Sequence, residues 1–190
     1  MRIPTDLEIR ALHERFAPTP EAFELVWTHC LIVSRIAEQA VGADGLDMDL
    51  VRAGCLLHDI GVHRLAPADP YVRHGLLGYE MLGEVGLPET LRRFCSHHTG
   101  VGITRDDVRR QRLPLPDCDF LAETAEEELV MYADKFHSKS TPPRFLTAAT
   151  FSARVSRFGD DKVERFASLV ERFGEPDLAP LAAEFGHPIT

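Results

Sequence analysis

Apolar residues recur at helical spacing along almost the whole chain, and the strict alternation typical of strands is nearly absent. Thr19 and Pro20 place a capping hydroxyl before a first-turn proline, which is a helix-start signal. The stretch that follows carries its apolar side chains on one helical face: Phe23, Val26, Trp27, Cys30, Val33, Ile36 and Ala37. The pattern therefore predicts an all-α protein, with a helix from Pro20 to Gly42.

Further helices are expected between residues that stop helices. The predicted segments are 50–59, capped by Asp47 or Asp49, then 74–84, 89–98 and 124–136. Residues 60–71 and 99–116 are rich in glycine and proline and are predicted to be loops. Thr124 and Glu127 have the spacing of a capping box. After Pro142 and Pro143, two or three more helices are expected, with breaks near Gly159 and Gly174.

Composition narrows the class of protein without identifying it. The chain has 190 residues, 44% of them hydrophobic and 27% charged, so it is long enough to bury a core without disulfides. The four cysteines are scattered, and the first residues lack the apolar segment of a signal peptide. We therefore expect a soluble, cytoplasmic protein that does not enter a membrane. The net charge of −9 argues against binding a nucleic-acid polymer, although a small phosphorylated ligand stays compatible with it.

The candidate chemistry lies in polar residues at positions where a helical core is otherwise apolar. They are His29, His58, Asp59, His74, His97, His98 and Asp134. A buried carboxylate costs several kcal/mol unless it is paired or bound to a metal. Imidazoles and carboxylates together are the ligands that Fe, Mn, Co and Zn accept. The set as a whole predicts a divalent-metal site.

Less specific explanations exist for each residue alone. A lone histidine on an apolar helix is usually a core residue, and histidines at a helix C-terminus complement the helix dipole. Cys55 and Cys95 each precede a candidate histidine by three residues, so a Cys/His zinc site is an alternative. That alternative leaves Asp59 and Asp134 unexplained. The ordered set His, His-Asp, His, His-His, Asp favours the divalent-metal site over these separate explanations.

This pattern resembles the HD superfamily of metal-dependent phosphohydrolases, whose signature is H…HD…D on an all-helical core. The resemblance runs from about Thr28 to Lys135 and includes the sequences LLHDIG and YADK. It implies that His29, His58, Asp59 and Asp134 bind the first metal ion. Together with the helix breaks after Pro142, it predicts a metal-binding helical domain over residues 1–140, with residues 141–190 as a helical extension packed on it.

Two further segments resemble the histidine motifs of the subgroup that hydrolyses dinucleoside polyphosphates. They are Arg73-His74-Gly75 and His98-Thr99-Gly100. The paired histidines are also similar to those of the HD-GYP phosphodiesterases, but the Gly-Tyr-Pro element is absent, which argues against cleavage of cyclic-di-GMP. His74, with His98 as first choice and His97 as second, is expected to complete a second metal site or to protonate the leaving oxygen.

The resulting hypothesis is a metal-dependent phosphohydrolase that acts on a nucleotide or another small phosphate ester. Asp59, His74 and His98 are the predicted catalytic residues, and Arg73, Lys135 and His97 the predicted substrate-binding residues. One or two divalent ions are expected, Fe or Mn first, with Zn, Co, Ni and Mg as alternatives. A homodimer is compatible with the sequence. Two alternatives stay open: a metal-binding or nucleotide-sensing module without turnover, and a diiron oxygenase.

Overall fold

A computed structural model describes residues 2–41 and 43–190, and these residues form an all-α protein, as predicted. Within them lie α1 (Asp6–Phe16), α2 (Pro20–Ala37), α3 (Met48–Leu57), α4 (His74–Glu84), α5 (Glu89–Ser96), α6 (Arg105–Gln111), α7 (Ala125–Asp134), α8 (Ala148–Val155), α9 (Asp160–Phe173) and α10 (Ala179–Phe185). Short 3-10 turns span Ile60–Arg64, Tyr71–Arg73 and Ser156–Phe158. The strands β1 (His137–Ser138) and β2 (Arg144–Phe145) form a small antiparallel pair.

Most helix starts follow the sequence signals. The Thr19 hydroxyl accepts from the Ala22 amide at 3.2 Å and begins α2, which ends at Ala37; Gly42 lies outside the described residues. Asp47 caps α3, which settles the choice between the two aspartates. The Thr124 hydroxyl accepts from the Glu127 amide at 3.2 Å. The Glu127 carboxylate, however, accepts from the Glu123 amide and from Arg93 and not from the Thr124 amide. The predicted capping box at Thr124 is therefore wrong in its second half.

Two helices were not predicted. The segment before Thr19 contains α1, and the expected loop 99–116 contains α6. Both begin with a capping box, Thr5 with Glu8 and Thr104 with Asp107. These pairs were present in the sequence as a threonine followed three residues later by an acid.

The turn after α3 lies unusually close to α4. A Cβ atom on Gly61 would lie 2.0 Å from the His74 carbonyl oxygen and 2.3 Å from the Gly78 amide nitrogen. No side chain fits there, so glycine is required for this backbone contact. The contact brings the residues before Gly61 next to the start of α4.

The segment after residue 140 shares the core of the helices before it. In α9, Phe166 and Phe173 pack on the Tyr132 ring of α7, with centroids 6.1 and 5.5 Å away. The Tyr132 hydroxyl also donates to the Gly174 carbonyl. A domain boundary at residue 140 stays a prediction. In the described part of the chain no helix combines the length and apolarity needed to cross a bilayer.

Candidate metal centre

The predicted ligands come together where several helices end. His29 lies within α2; His58 caps the C-terminus of α3 and Asp59 follows it; His74 begins α4; His98 follows the end of α5; and Asp134 is the last residue of α7. The C-terminal ends of α3, α5 and α7 therefore meet at one place. Because helix C-termini carry partial negative charge, this arrangement favours a cation.

Four side chains form the first half of the centre, which is the H…HD…D set. The His29 Nε2 atom lies 3.0 Å from Asp134 Oδ1 and 3.2 Å from Asp59 Oδ2. The His58 Nε2 atom lies 3.4 Å from Asp59 Oδ2 and 3.5 Å from Asp134 Oδ1. One donor atom from each of the four residues lies within 4.8 Å of the others. Such a group can hold one metal ion.

A second half shares Asp59 with the first. The other carboxylate oxygen of Asp59, Oδ1, lies 3.2 Å from His74 Nε2 and 3.5 Å from His98 Nε2. These three side chains are buried and also group within 4.8 Å. Each oxygen of Asp59 thus faces a different histidine pair.

In three of the histidines the Nδ1 atom, which faces away from the carboxylates, is already hydrogen-bonded, so the Nε2 atom is the one available to a metal ion. His58 Nδ1 donates to the Cys55 carbonyl at 2.7 Å, His74 Nδ1 to Tyr71 at 2.6 Å, and His98 Nδ1 to Phe94 at 3.0 Å. A neutral imidazole carries one proton, so each Nε2 atom then has a lone pair directed into the centre. Outer hydrogen bonds of this kind fix the orientation of metal-binding histidines.

The electrostatics of the centre favour the metal-binding form of His74, His98, Asp59 and Asp134. Burial lowers the pKa of His74 to about 4 and also lowers that of His98, so both are neutral near pH 7. Burial acts to raise the pKa of Asp59, but Lys139 and His58 hold it well below its usual value. Lys135 does the same for Asp134. His58 is the exception: burial acts to lower its pKa, but the Asp59 carboxylate holds that pKa well above its usual value, because a negative group favours positive charge beside it.

A divalent cation fits this donor set. Asp59 Oδ1 is buried and has no hydrogen-bond donor. The Nε2 atoms of His74 and His98 also face each other, at 3.0 Å. Facing lone pairs repel each other, and an orphaned buried carboxylate oxygen is costly; a cation between these atoms removes both penalties.

A cavity of about 470 Å³ opens beside the centre, lined among others by Asp134, Lys135, Lys139, Tyr71 and Ser138. Lys135 Nζ lies 2.6 Å from Asp134 Oδ2 and 2.9 Å from the His98 carbonyl oxygen, so this predicted residue does reach the centre. Lys139 Nζ contacts Asp59 Oδ2. The sequence pattern does not identify Lys139, because this residue lies beyond the motif that ends at Lys135.

Other predicted residues lie outside the cluster. His97 Nδ1 contacts the Ser96 hydroxyl at 2.6 Å, and its ring faces Phe120 rather than Asp59. The Arg73 guanidinium is bound to Asp69 at 2.8 Å and does not line the cavity beside the centre. Cys55 and Cys95 are fully buried, and within the described residues neither belongs to a metal-ligand group, which disfavours the zinc alternative.

The Nδ1 atom of His29 contacts another histidine, whereas the Nδ1 atoms of the other three histidines contact backbone carbonyls. Its Nδ1 atom lies 2.8 Å from Nδ1 of His137, whose Nε2 atom lies 2.9 Å from Nδ1 of His187. From the sequence, both residues are predicted only as surface residues or outer neighbours of the site, because contacts across 108 and 50 positions leave no local pattern. Burial, followed by the neighbouring imidazoles, lowers the pKa of His137 to about 2, so its ring is neutral.

Comparison with known sequences agrees with this geometry. The family model described as HD domain matches residues 26–139. The chain is 40% identical over 116 residues to the uncharacterized protein MJ0778 of Methanocaldococcus jannaschii, a match that covers 58% of this chain and 65% of that protein. It is 35% identical over 117 residues to a tRNA (cytidine(56)-2'-O)-methyltransferase of Picrophilus torridus, covering 62% of this chain but 33% of that protein. The chain thus spans less than two thirds of these relatives.

Solved structures share the fold. The HD domain of the L. monocytogenes phosphodiesterase PgpH superposes with a TM-score of 0.52 at 17% sequence identity, over 93% of this chain and 98% of that one. A second structure of that domain, in complex with cyclic-di-AMP, gives the same TM-score and identity over 96% and 99%. At this identity the likeness is one of fold.

Proposed function

The chain belongs to the HD domain family, and on that premise we propose that it is a metal-dependent phosphohydrolase acting on a nucleotide or another small phosphate ester. The observation that carries the proposal is the buried carboxylate of Asp59, whose two oxygens face two separate histidine pairs. His29, His58, Asp59 and Asp134 hold the first metal ion. Asp59, His74 and His98 hold the second.

A bound divalent ion supplies an acidified water and neutralises phosphate charge as phosphorus is attacked. The protein supplies the rest. His74 and His98 are neutral and face Asp59 with Nε2, so each offers a lone pair that can bind an ion or, where it does not, accept a proton from a reacting oxygen. Fe²⁺ and Mn²⁺ are the proposed ions because the site mixes imidazole and carboxylate and contains no thiolate.

Lys139 is the proposed phosphate ligand on the protein side. Its ammonium group pairs with Asp59 and lies at the wall of the 470 Å³ cavity. With Asp59 engaged in metal binding, the Lys139 ammonium group would be available to donate to a phosphate oxygen. Lys135 is held by Asp134 and by the His98 carbonyl, so it orients the metal ligands more than it binds substrate.

The surroundings of the centre support a substrate with an aromatic group. A second cavity of about 440 Å³ shares Tyr71 and Gly100 with the first and is lined mainly by apolar side chains. Tyr71 and Phe158 both line it, and their side chains are 54% and 42% exposed. Exposed aromatic rings stack well on nucleobases. The related fold in PgpH, which was crystallised with cyclic-di-AMP, also favours a nucleotide.

A substrate panel tests the proposal. Protein purified without chelators is incubated with nucleoside monophosphates, dinucleoside polyphosphates, cyclic dinucleotides and an aryl phosphate, with Mn²⁺, Fe²⁺, Co²⁺ or Ni²⁺ added, and the products are quantified. We expect hydrolysis that stops with EDTA and returns with metal, and a higher KM for Lys139→Met. Binding of metal and nucleotide without turnover would favour the sensing module. Oxygen consumption without phosphate release would favour the oxygenase.

A further inference from the structure

His29 differs from the other histidines of the centre in what its outer nitrogen binds. His58, His74 and His98 each donate Nδ1–H to a backbone carbonyl, which accepts but cannot donate. His29 meets the Nδ1 atom of His137 instead, at 2.8 Å with both atoms buried. An imidazole nitrogen accepts only when it carries no proton, so this contact depends on the tautomer of His137.

The direction of the hydrogen bonds follows from the metal-facing end. His29 Nε2 faces Asp59 and Asp134 and must present its lone pair to bind an ion, so its proton is on Nδ1. His137 Nδ1 must then accept, which places the His137 proton on Nε2. That Nε2–H donates to His187 Nδ1 at 2.9 Å. One set of tautomers satisfies both hydrogen bonds.

We propose that His137 is a positioning residue for the metal centre, which holds His29 in its metal-binding tautomer, and that His187 in turn fixes the tautomer of His137. This inference goes beyond the proposed hydrolysis, because it concerns metal capture and requires no substrate. The carbonyl acceptors of His58, His74 and His98 come from residues three or four positions earlier on the same helical turn. The acceptor of His29 lies 108 positions further along the chain.

Backbone pairing holds both acceptor rings in place. His137 pairs with Phe145 in the β1–β2 ladder, and the Phe145 ring packs edge-on against the His137 ring at 5.0 Å. The Phe145 amide donates to the Pro188 carbonyl at 2.8 Å, and the Thr190 amide donates to the Phe145 carbonyl at 3.0 Å. His187 therefore stacks on His137 with its centroid at 5.1 Å and an interplanar angle of 20°.

Measurements of metal affinity for two matched substitutions of His137 test whether this residue positions His29. Co²⁺ binding is measured by competition with a chromogenic chelator for wild type, His137→Phe and His137→Gln. Phenylalanine keeps a ring for packing but cannot accept, so we expect affinity to fall about 10- to 100-fold, the usual cost of losing an outer-shell partner. Glutamine offers an oxygen acceptor and should recover most of the loss. Wild-type affinity in His137→Phe, or equal losses in both variants, would overturn the proposal.

Controls separate this effect from folding and from catalysis. His13→Phe also replaces a buried histidine that contacts another histidine, but it lies outside the cluster, so its Co²⁺ affinity should match wild type. Helix content by circular dichroism shows that each variant is folded. Affinity is measured without substrate, so it can support or overturn the role of His137 even if no phosphate ester is hydrolysed.

Nitrogen-15 NMR of the wild-type histidines gives a second readout that no substitution can disturb. With Zn²⁺ bound, we expect protonated Nδ1 in His29 and protonated Nε2 in His137. The opposite tautomer of His137 would overturn the proposal. In His187→Ala the His137 tautomer should become mixed, while Co²⁺ affinity falls less than in His137→Phe, because water can replace the partly exposed His187 ring.

Discussion

The Nε2 atoms of His74 and His98 lie 3.0 Å apart, although each ring already donates its Nδ1 proton to a backbone carbonyl. Two lone pairs at this distance repel unless a proton or a metal ion lies between them. Burial lowers the pKa of both rings, so a shared proton is disfavoured at neutral pH. Beside them is Asp59 Oδ1, which is buried without a donor. The second metal ion of the proposed function would account for all three observations.

The first prediction is therefore that His98 contributes to metal stoichiometry and its neighbour His97 does not. Titration of metal-free protein with Mn²⁺, followed by equilibrium dialysis and metal analysis, should give two ions per chain, the second bound more weakly. His98→Ala and His74→Ala should each give one. His97→Ala is the matched control and should keep two, since its ring faces Phe120. Saturation of the wild type at one ion would leave a mononuclear site.

The second prediction concerns Asp59, which both halves share. Asp59→Asn keeps the shape of the side chain but removes its charge and one acceptor oxygen, so both ions lose a ligand. We expect metal affinity to fall by more than about 100-fold, above the range for outer-shell residues, and turnover to fall with it. Metal analysis and circular dichroism measure the two effects. Asp69→Asn, outside the cluster, is the control; full occupancy in Asp59→Asn would contradict the assignment.

The sequence predicted the parts of this site that follow local rules. Helix periodicity placed His29 on α2, and the HD motif placed His58 and Asp59 at the end of α3. It left open whether His97 or His98 faces the centre, and the structure points to His98. That difference depends on how the chain turns after α5, which the pattern of apolar residues does not encode.

Residues that act through tertiary contacts could not be found this way. Lys139 reaches Asp59 from 80 positions away, and His137 reaches His29 from 108. Nothing in their neighbourhood distinguishes them from surface residues. By contrast, the start of α1 is visible in the sequence, because Thr5 and Glu8 have the spacing of a capping box.

The third prediction tests the close approach that places Asp59 beside α4. A methyl group on Gly61 would overlap the backbone of His74 and Gly78, which cannot move aside as a flexible side chain can. Gly61→Ala should lower the free energy of unfolding by roughly 3 kcal/mol or more, the upper range for overpacking. Urea unfolding measures it. The matched control is Gly83→Ala in α4, whose Cβ would meet only the guanidinium end of the Arg92 side chain, which can shift where a backbone cannot, and should change stability by less than about 1 kcal/mol.

The last prediction concerns a second histidine pair, away from the metal centre. His13 is fully buried, contacts the Leu56 carbonyl through Nε2 at 2.8 Å, and lies 3.0 Å from His63 Nε2 through Nδ1. Burial lowers the pKa of His13 to about 3 and that of His63 to about 4. Both rings are therefore neutral in the folded protein throughout the range in which unfolded histidines become protonated.

Stability should consequently fall as the pH decreases. Above about pH 6.5 the histidines are neutral in both states and add no pH dependence; below it, each is protonated only in the unfolded chain, which lowers the free energy of unfolding by up to about 1.4 kcal/mol per pH unit. This continues until the pH approaches the folded-state pKa values. Urea unfolding from pH 7 to pH 5 measures the slope, with EDTA present so that metal release does not contribute. His13→Gln keeps an amide donor for the Leu56 carbonyl but cannot titrate. The free energy of unfolding of this variant should therefore change less steeply with pH, by the contribution of one histidine, which is up to about 1.4 kcal/mol per pH unit. An unchanged slope would mean that His13 is protonated in the folded protein as readily as in the unfolded one.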